Sequence, residues 1–226
     1  MPGLRLVIFD VDGTLVDSQS DIVAAMTHAF VTAGAPVPER AAILGIVGLS
    51  LPQAIPRLAP QIDAPTHDRM VAWYKEAYMQ LRATTGAAQS SPLYPHVRDV
   101  LELLNAHPET LLGVATGKSR RGLDKLLDGH DLRQYFVTQQ VSDHHPSKPH
   151  PSMILTALAE TGVAPQDAVM IGDTTFDMDM AQAAGVPFIG VDWGYHPATS
   201  LTGAAAIASD FRDLPGLIDT YGRRSA

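Results

Sequence analysis

Cysteine is absent from this 226-residue chain, which removes disulfides, thiolate metal ligands and cysteine nucleophiles together. A reducing compartment is thereby permitted. Long apolar runs are also missing: residues 4–9 form an apolar stretch that Asp10 and Asp12 interrupt, too short for the apolar part of a signal peptide or for a membrane span. The expected location is cytoplasmic. Positive charge is scarce, with 16 Lys and Arg against 24 Asp and Glu and a net charge of -8. That sign repels nucleic-acid backbones and anionic lipid at long range, so no nucleic acid and no membrane is expected as a partner. An anionic substrate would have to meet positive charge, or a bound cation, at the site itself.

What is present suits a folded protein. Hydrophobic residues make up 46% and charged residues 18%, and the length fits one full domain with a sizeable insertion. The segments 4–9, 111–115, 135–138, 168–171 and 187–191 are short, mostly apolar and bounded by Gly, Thr, Asp or Pro, which predicts buried strands. Between them, 97–106, 120–127, 152–161 and 175–184 have helical spacing. Alternation of this kind predicts an α/β fold, a Rossmann-like doubly wound parallel sheet with its ligand crevice at the carboxyl ends of the strands. Residues 20–90 break the pattern and offer only helices, near 22–33, 38–46, 52–58 and 66–84. The expected organisation is therefore a core domain of residues 1–18 and 91–226 carrying an inserted all-helical cap domain, 19–90.

The chemistry concentrates at strand ends. Asp10-Val11-Asp12-Gly13-Thr14 follows the first strand, and in an extended conformation Asp10 and Asp12 would point the same way while Gly13 permits a turn. Gly172-Asp173-Thr174-Thr175-Phe176-Asp177 follows a later strand. A helix beginning near Thr174 would stack Asp173 and Asp177 on one face. Each close carboxylate pair, at about 4 Å, repels by roughly 4 kcal/mol at an effective dielectric of 20. Such a cluster needs a bound cation, and oxygen-only donors match Mg2+. Magnesium commonly accompanies phosphate; Thr116 and Gly117 offer a hydroxyl and an unhindered N–H, and Lys148, stiffened by Ser147, Pro149 and Pro151, offers a point charge. An isolated aspartate after a strand usually serves as a turn or cap residue, and Asp17 and Asp21 are read that way.

In order and spacing these segments resemble the four motifs of the haloacid dehalogenase-like hydrolases, in the phosphoglycolate-phosphatase-like branch with a helical cap. The matching residues are Asp10-Val11-Asp12-Gly13-Thr14, Thr116, Lys148, and Gly172-Asp173 with Asp177. Trp193-Gly194-Tyr195 is similar to a short loop found late in such proteins. The resemblance implies a Mg2+-dependent phosphatase acting on a small phosphorylated metabolite. Asp10 would attack phosphorus and form an aspartyl phosphate, and Asp12 would act as general acid and base. Thr116, Gly117, Lys148 and Gly13 would contact the phosphoryl group. Asp10, Asp173 and Asp177 would hold or orient the metal by side chain, Asp12 by its backbone carbonyl. Gly117 stands where many members carry asparagine. The loop Gly48-Leu49-Ser50-Leu51 resembles one that related enzymes place over the substrate, and Arg57, Arg69, Lys75 and Arg82 are candidates for a substrate carboxylate. Rival expectations are a phosphosugar mutase, a phosphonate hydrolase, which Asp12 argues against, and a non-enzymatic phospho-acceptor signalling domain. Oligomeric state is not legible.

Overall fold

The computed structural model describes residues 3–222; residues 1–2 and 223–226 of the expected core segment lie outside them. Six parallel strands run β1 (Arg5–Phe9), β2 (Thr110–Thr116), β3 (Phe136–Val141), β4 (Ala168–Gly172), β5 (Phe188–Val191) and β6 (Ala206–Ala208). Their order in the sheet is β3-β2-β1-β4-β5-β6, with every pairing parallel. β1 therefore lies at the centre, and the chain turns to opposite sides of it, the arrangement that opens a crevice at strand carboxyl ends.

Strand β1 shows why both faces must be covered. Leu6 and Ile8 enter a cluster with Met153, Ile154, Met170 and Phe188, while Val7 and Phe9 enter another with Leu101, Val114, Leu123 and Phe211. Alternate side chains thus feed opposite faces, as the strand repeat of two dictates. Helices α6 (Val97–Asn105), α7 (Arg120–Gly129) and α10 (Leu214–Tyr221) belong to the first-named residues' opposite side, with Val7 and Phe9; α8 (Ser152–Thr161) and α9 (Thr175–Ala183) cover the Leu6 side.

Residues 19–90 are helical, as α1 (Gln19–Thr32), α2 (Arg40–Leu44), α3 (Leu51–Leu58), α4 (Ala64–Thr85) and the short α5 (Ala87–Ser90). They bury an apolar cluster of their own, including Met26, Phe30, Ile43, Ile55 and Met70. Helix α4 starts where Asp63 accepts a hydrogen bond from Thr66 N at 2.7 Å and stops at Gly86, whose φ of 83° leaves the helical region. The two chain passages into and out of this helical unit run together: Val16 bridges Leu93 in antiparallel fashion, Asp17 N donates to Pro92 O at 2.9 Å and Tyr94 N to Leu15 O at 3.0 Å.

Phe9 is completely buried, stacked on Phe211 at 6.1 Å and edge-on to Phe136 at 6.5 Å. Truncation there leaves a cavity lined by groups that cannot all collapse. Phe9→Ala should lower unfolding stability by about 3 to 5 kcal/mol in denaturant titration; a loss below about 1 kcal/mol would show that Phe9 does not anchor this face.

Candidate active site

Three neighbouring strands deliver the site. β1, β2 and β4 end at Phe9, Thr116 and Gly172, so Asp10, Gly117 and Asp173 leave the sheet side by side. The loop after β3 contributes Lys148, which is 1% exposed. Its Nζ donates to Asp10 Oδ1 and to Asp177 Oδ1, each at 2.6 Å.

Asp177 owes its place to a helix cap. Thr174 is the N-cap of α9, its hydroxyl accepting from Asp177 N at 3.2 Å while Asp177 Oδ2 accepts from Thr174 N at 3.1 Å, a reciprocal capping box. Stacking of Asp173 and Asp177 on one helical face does not occur: α9 begins at Thr175, so Asp173 precedes the helix, and the two carboxylates meet because the cap folds Asp177 back toward the strand end. Asp173 is held from two sides, by Thr14 Oγ1 at 3.1 Å and Tyr195 N at 2.7 Å. A Cβ at position 13 or at position 194 would overlap its carboxylate. Gly13 also has φ 87°, a conformation that side chains resist, and its N–H donates to Val16 O at 2.9 Å. Position 13 thus contributes space and a turn, with its amide committed to that turn.

Asp10, Asp173 and Asp177 each offer an oxygen within 4.8 Å of the others, and Asp10 Oδ2 is buried without a hydrogen-bond partner. Burial, followed by repulsion from Asp177 and Asp12, pushes the Asp10 carboxyl up to about 7 despite the pull of Lys148. Burial and the charges of Asp177 and Asp10 raise Asp173 well above the carboxylate range. The Lys148 ammonium, although burial opposes its charge, is held above the ordinary lysine value by Asp10 and Asp177. One ammonium among three carboxylates leaves negative charge uncompensated. Hard oxygen donors, one of them unengaged, fit a divalent cation of the Mg2+ type.

Asp12 stands outside this trio. Its Oδ1 accepts from the Ser18 hydroxyl and lies 2.7 Å from Lys118 Nζ. The Lys118 ammonium, although burial opposes its charge, is held above the ordinary lysine value by Asp12 and Tyr78 together. The sequence reading does not single out Lys118; the signal available was a lysine two residues beyond Thr116 at a strand end. Thr116 is fully buried, and its hydroxyl accepts from Lys118 N at 3.2 Å, so it shapes the turn that presents this lysine. Among the described residues it makes no hydrogen bond to the carboxylate cluster.

A cleft of about 640 Å³ opens over Asp10 and Asp12, between the helical unit and the strand ends, with Gly48, Leu49, Tyr78 and Gly117 among its walls. The 48–49 backbone presses on Gly117, where a Cβ would lie 2.7 Å from Gly48 O. Ser50 N donates to Ser147 Oγ at 2.8 Å beside Lys148. Of the four candidate cations, Arg57 lies over the Phe176 ring, Arg69 bonds Thr66, and Lys75 and Arg82 line the cleft. Trp193 Nε1 donates to Thr14 O at 3.2 Å, and Tyr195 donates its amide to Asp173 and places its hydroxyl 3.1 Å from Ser18 Oγ.

Residues 7–191 match a family model described as haloacid dehalogenase-like hydrolase, and the chain belongs to that family. It is 36% identical over 216 residues to "Probable phosphatase IndB" of Dickeya dadantii (strain 3937), covering 93% of this chain and 92% of the relative. A phosphoglycolate phosphatase of Photorhabdus laumondii is 29% identical over 221 residues, with 95% and 92% covered. In structure, a haloacid dehalogenase-like family hydrolase from Streptococcus pneumoniae superposes with a TM-score of 0.81 at 27% identity, covering 96% of this chain and all of the other. Within the family the chain falls in the phosphoglycolate-phosphatase-like branch, and its enzyme class is that of a phosphatase.

The electrostatics make a stability prediction. Asp10 has its pKa raised in the folded chain, so it binds a proton more tightly there than unfolded, and stability falls as pH rises from the unfolded value of about 4 through about 7. Asparagine at this position does not titrate. In chelator-treated protein the stability advantage of Asp10→Asn over wild type should therefore grow by about 2 to 3 kcal/mol between pH 5 and pH 7.5, read by denaturant unfolding. An advantage that stays constant or shrinks would contradict the charge balance described.

Proposed function

We propose that this protein is a Mg2+-dependent phosphatase that hydrolyses a small phosphorylated metabolite through an aspartyl-phosphate intermediate. The observation that carries the reading is the different treatment of two carboxyls two residues apart. Asp10 has one oxygen against Lys148 and one oxygen unengaged, the condition of a nucleophile. Asp12 lies on the wall of the same cleft, held by Ser18 and Lys118 apart from the carboxylate trio, a placement that would let its carboxyl reach a leaving oxygen or a water.

In the first displacement an Asp10 oxygen bonds to phosphorus as the ester P–O bond breaks, and the departing oxygen takes its proton from Asp12. In the second, Asp12 removes a proton from water, whose oxygen bonds to phosphorus; the bond to Asp10 breaks and free phosphate leaves. Lys148 would stay beside the phosphoryl group as charge moves, with Gly117 on the adjoining wall and Thr116 behind it. Asp10 and Asp173 would hold Mg2+, Asp12 through its backbone carbonyl, and Asp177, both of whose oxygens are engaged by Lys148 and Thr174, would orient the set. The ion supplies charge neutralisation for the phosphoryl oxygens. The helical residues 19–90 would form the cap over the cleft. The phosphatase names of the relatives, phosphoglycolate phosphatase among them, support a small phosphorylated substrate.

Phosphate release from a panel of phosphorylated metabolites tests the reading. Asp10→Asn should lower kcat by at least about 10⁴-fold, and Asp12→Asn by at least about 100-fold, with unfolding midpoints showing that the fold persists. Turnover by Asp10→Asn within a few-fold of wild type sinks the nucleophile assignment. Excess chelator should abolish phosphate release and Mg2+ restore it; indifference to both would remove the metal from the reaction. Conversion of a sugar phosphate to its isomer without phosphate release would instead indicate a mutase.

A further inference from the structure

Arg82 has no role in the chemistry just derived, yet it is among the most deeply placed charges in the molecule. It sits in the last turn of α4 and is 7% exposed. Its Nε and Nη2 are buried and lack any hydrogen-bond partner. Nη1 makes one long contact, 3.4 Å to Gly122 O, and the guanidinium carbon lies 5.6 Å from the centre of the Tyr78 ring. Among the described residues no carboxylate pairs with it. A guanidinium carries five donors in a rigid fork, and burying one unpaired is among the more expensive arrangements a fold can hold.

Arg82 also lines the cleft that contains Asp10 and Asp12. Tyr78 connects the two regions: its hydroxyl is 3.3 Å from Lys118 Nζ, whose other partner is Asp12, and its ring borders both Lys118, at 5.2 Å, and Arg82. Arg121 and Lys125, on the first turns of α7, also line the cleft. In a chain of net charge -8 the cleft lining carries Lys75, Arg82, Lys118, Arg121 and Lys125 against Asp10, Asp12 and Asp143, a local excess of positive charge. Arg82 belongs to the helical unit and Gly122 to the core, so a ligand here would touch both.

We propose that Arg82 is a specificity-determining residue whose guanidinium binds a second anionic group of the substrate, beyond the phosphoryl group that is transferred. The substrate class is then a phosphomonoester whose alcohol portion ends in an oxyanion, a carboxylate or a second phosphate. This inference rests on the phosphatase reading above. The shape of the fork favours a planar or tetrahedral oxyanion met by two parallel N–H donors. Hydroxylated but uncharged ends leave the buried guanidinium unpaired, so the same residue that attracts acids rejects neutral esters.

The test uses three phosphomonoesters built on one short alkyl chain, ending in a carboxylate, in the methyl ester of that carboxylate, and in a second phosphate, with p-nitrophenyl phosphate alongside. For wild type, kcat/KM with at least one anionic end should exceed that of the methyl ester by 30-fold or more, chiefly through KM. In Arg82→Gln that ratio should fall below 3-fold, and Arg82→Lys should restore part of it. The preferred anionic end identifies the group bound. A wild-type ratio near one overturns the proposal whether or not the variants fold, and so does an Arg82→Gln ratio equal to that of wild type. Absence of phosphate release by wild type from every ester overturns the phosphatase reading itself, and the proposal with it, an outcome distinct from an unselective but active enzyme.

Discussion

A single buried ammonium organises this molecule. Lys148 Nζ stands 2.6 Å from both Asp10 and Asp177, in a region where burial alone would discharge carboxylates and ammonium alike. Each of the three partners comes from a different part of the chain: the end of β1, the loop after β3, and the first turn of α9. None of the three could remain charged and buried without the others. The parallel sheet makes their meeting possible, because β1 lies beside β4 and two strands from β3, so all three connections open toward the same edge.

That electrostatic centre separates two carboxyls that sequence proximity would make equivalent. Asp10 faces Lys148, and Asp12 faces Lys118 and Ser18. Two lysines on two different loops therefore give the two carboxyls of the acidic pair different environments, the separation that the proposed acid and base chemistry would require. Thr116, fully buried, fixes the turn between them by accepting from the Lys118 amide.

Much of this architecture was legible in the sequence, because short β-branched runs alternating with helical spacing leave few alternatives to a parallel sheet. The five longer strands, the helical stretch between Ser18 and Ser91, and the gathering of Asp10, Asp173, Asp177 and Lys148 follow from that pattern and from motif order. Strand β6 was not legible: Ala206-Ile207-Ala208 is too short to show a period, and it forms only because β5 presents an open edge. Helix α10 likewise has its apolar face defined by packing on the β1 side rather than by a strong repeat. Lys118 escaped for another reason, and Arg82 was legible only as one of four cap cations that the sequence does not rank. A lysine or arginine in a helix or a turn is ordinarily solvated, and only the tertiary approach of Tyr78, Asp12 and Gly122 distinguishes these two from the other cations of the chain. The mutual placement of Asp173 and Asp177 was anticipated with a different cause, since helical spacing implies stacking, whereas the capping box of Thr174 supplies the contact.

The helical unit is tied to the site through its two connecting segments. Val16 is bridged both to Asp12 and to Leu93, so the outgoing and returning passages meet one residue that also belongs to the Asp12 turn. Two residues later, Ser18 precedes α1 and donates its hydroxyl to Asp12 while its amide donates to Tyr195 Oη at 3.0 Å. Tyr195 in turn gives its own amide to Asp173. The carboxyl of Asp12 is consequently fixed between a core lysine and Ser18, and Ser18 is fixed to the loop that holds Asp173. A rotation of the helical unit that disturbed Ser18 would loosen Asp12 before it reached Asp10, whose contacts lie wholly within the core. The geometry thus couples Asp12, and not Asp10, to the position of the helices above the cleft.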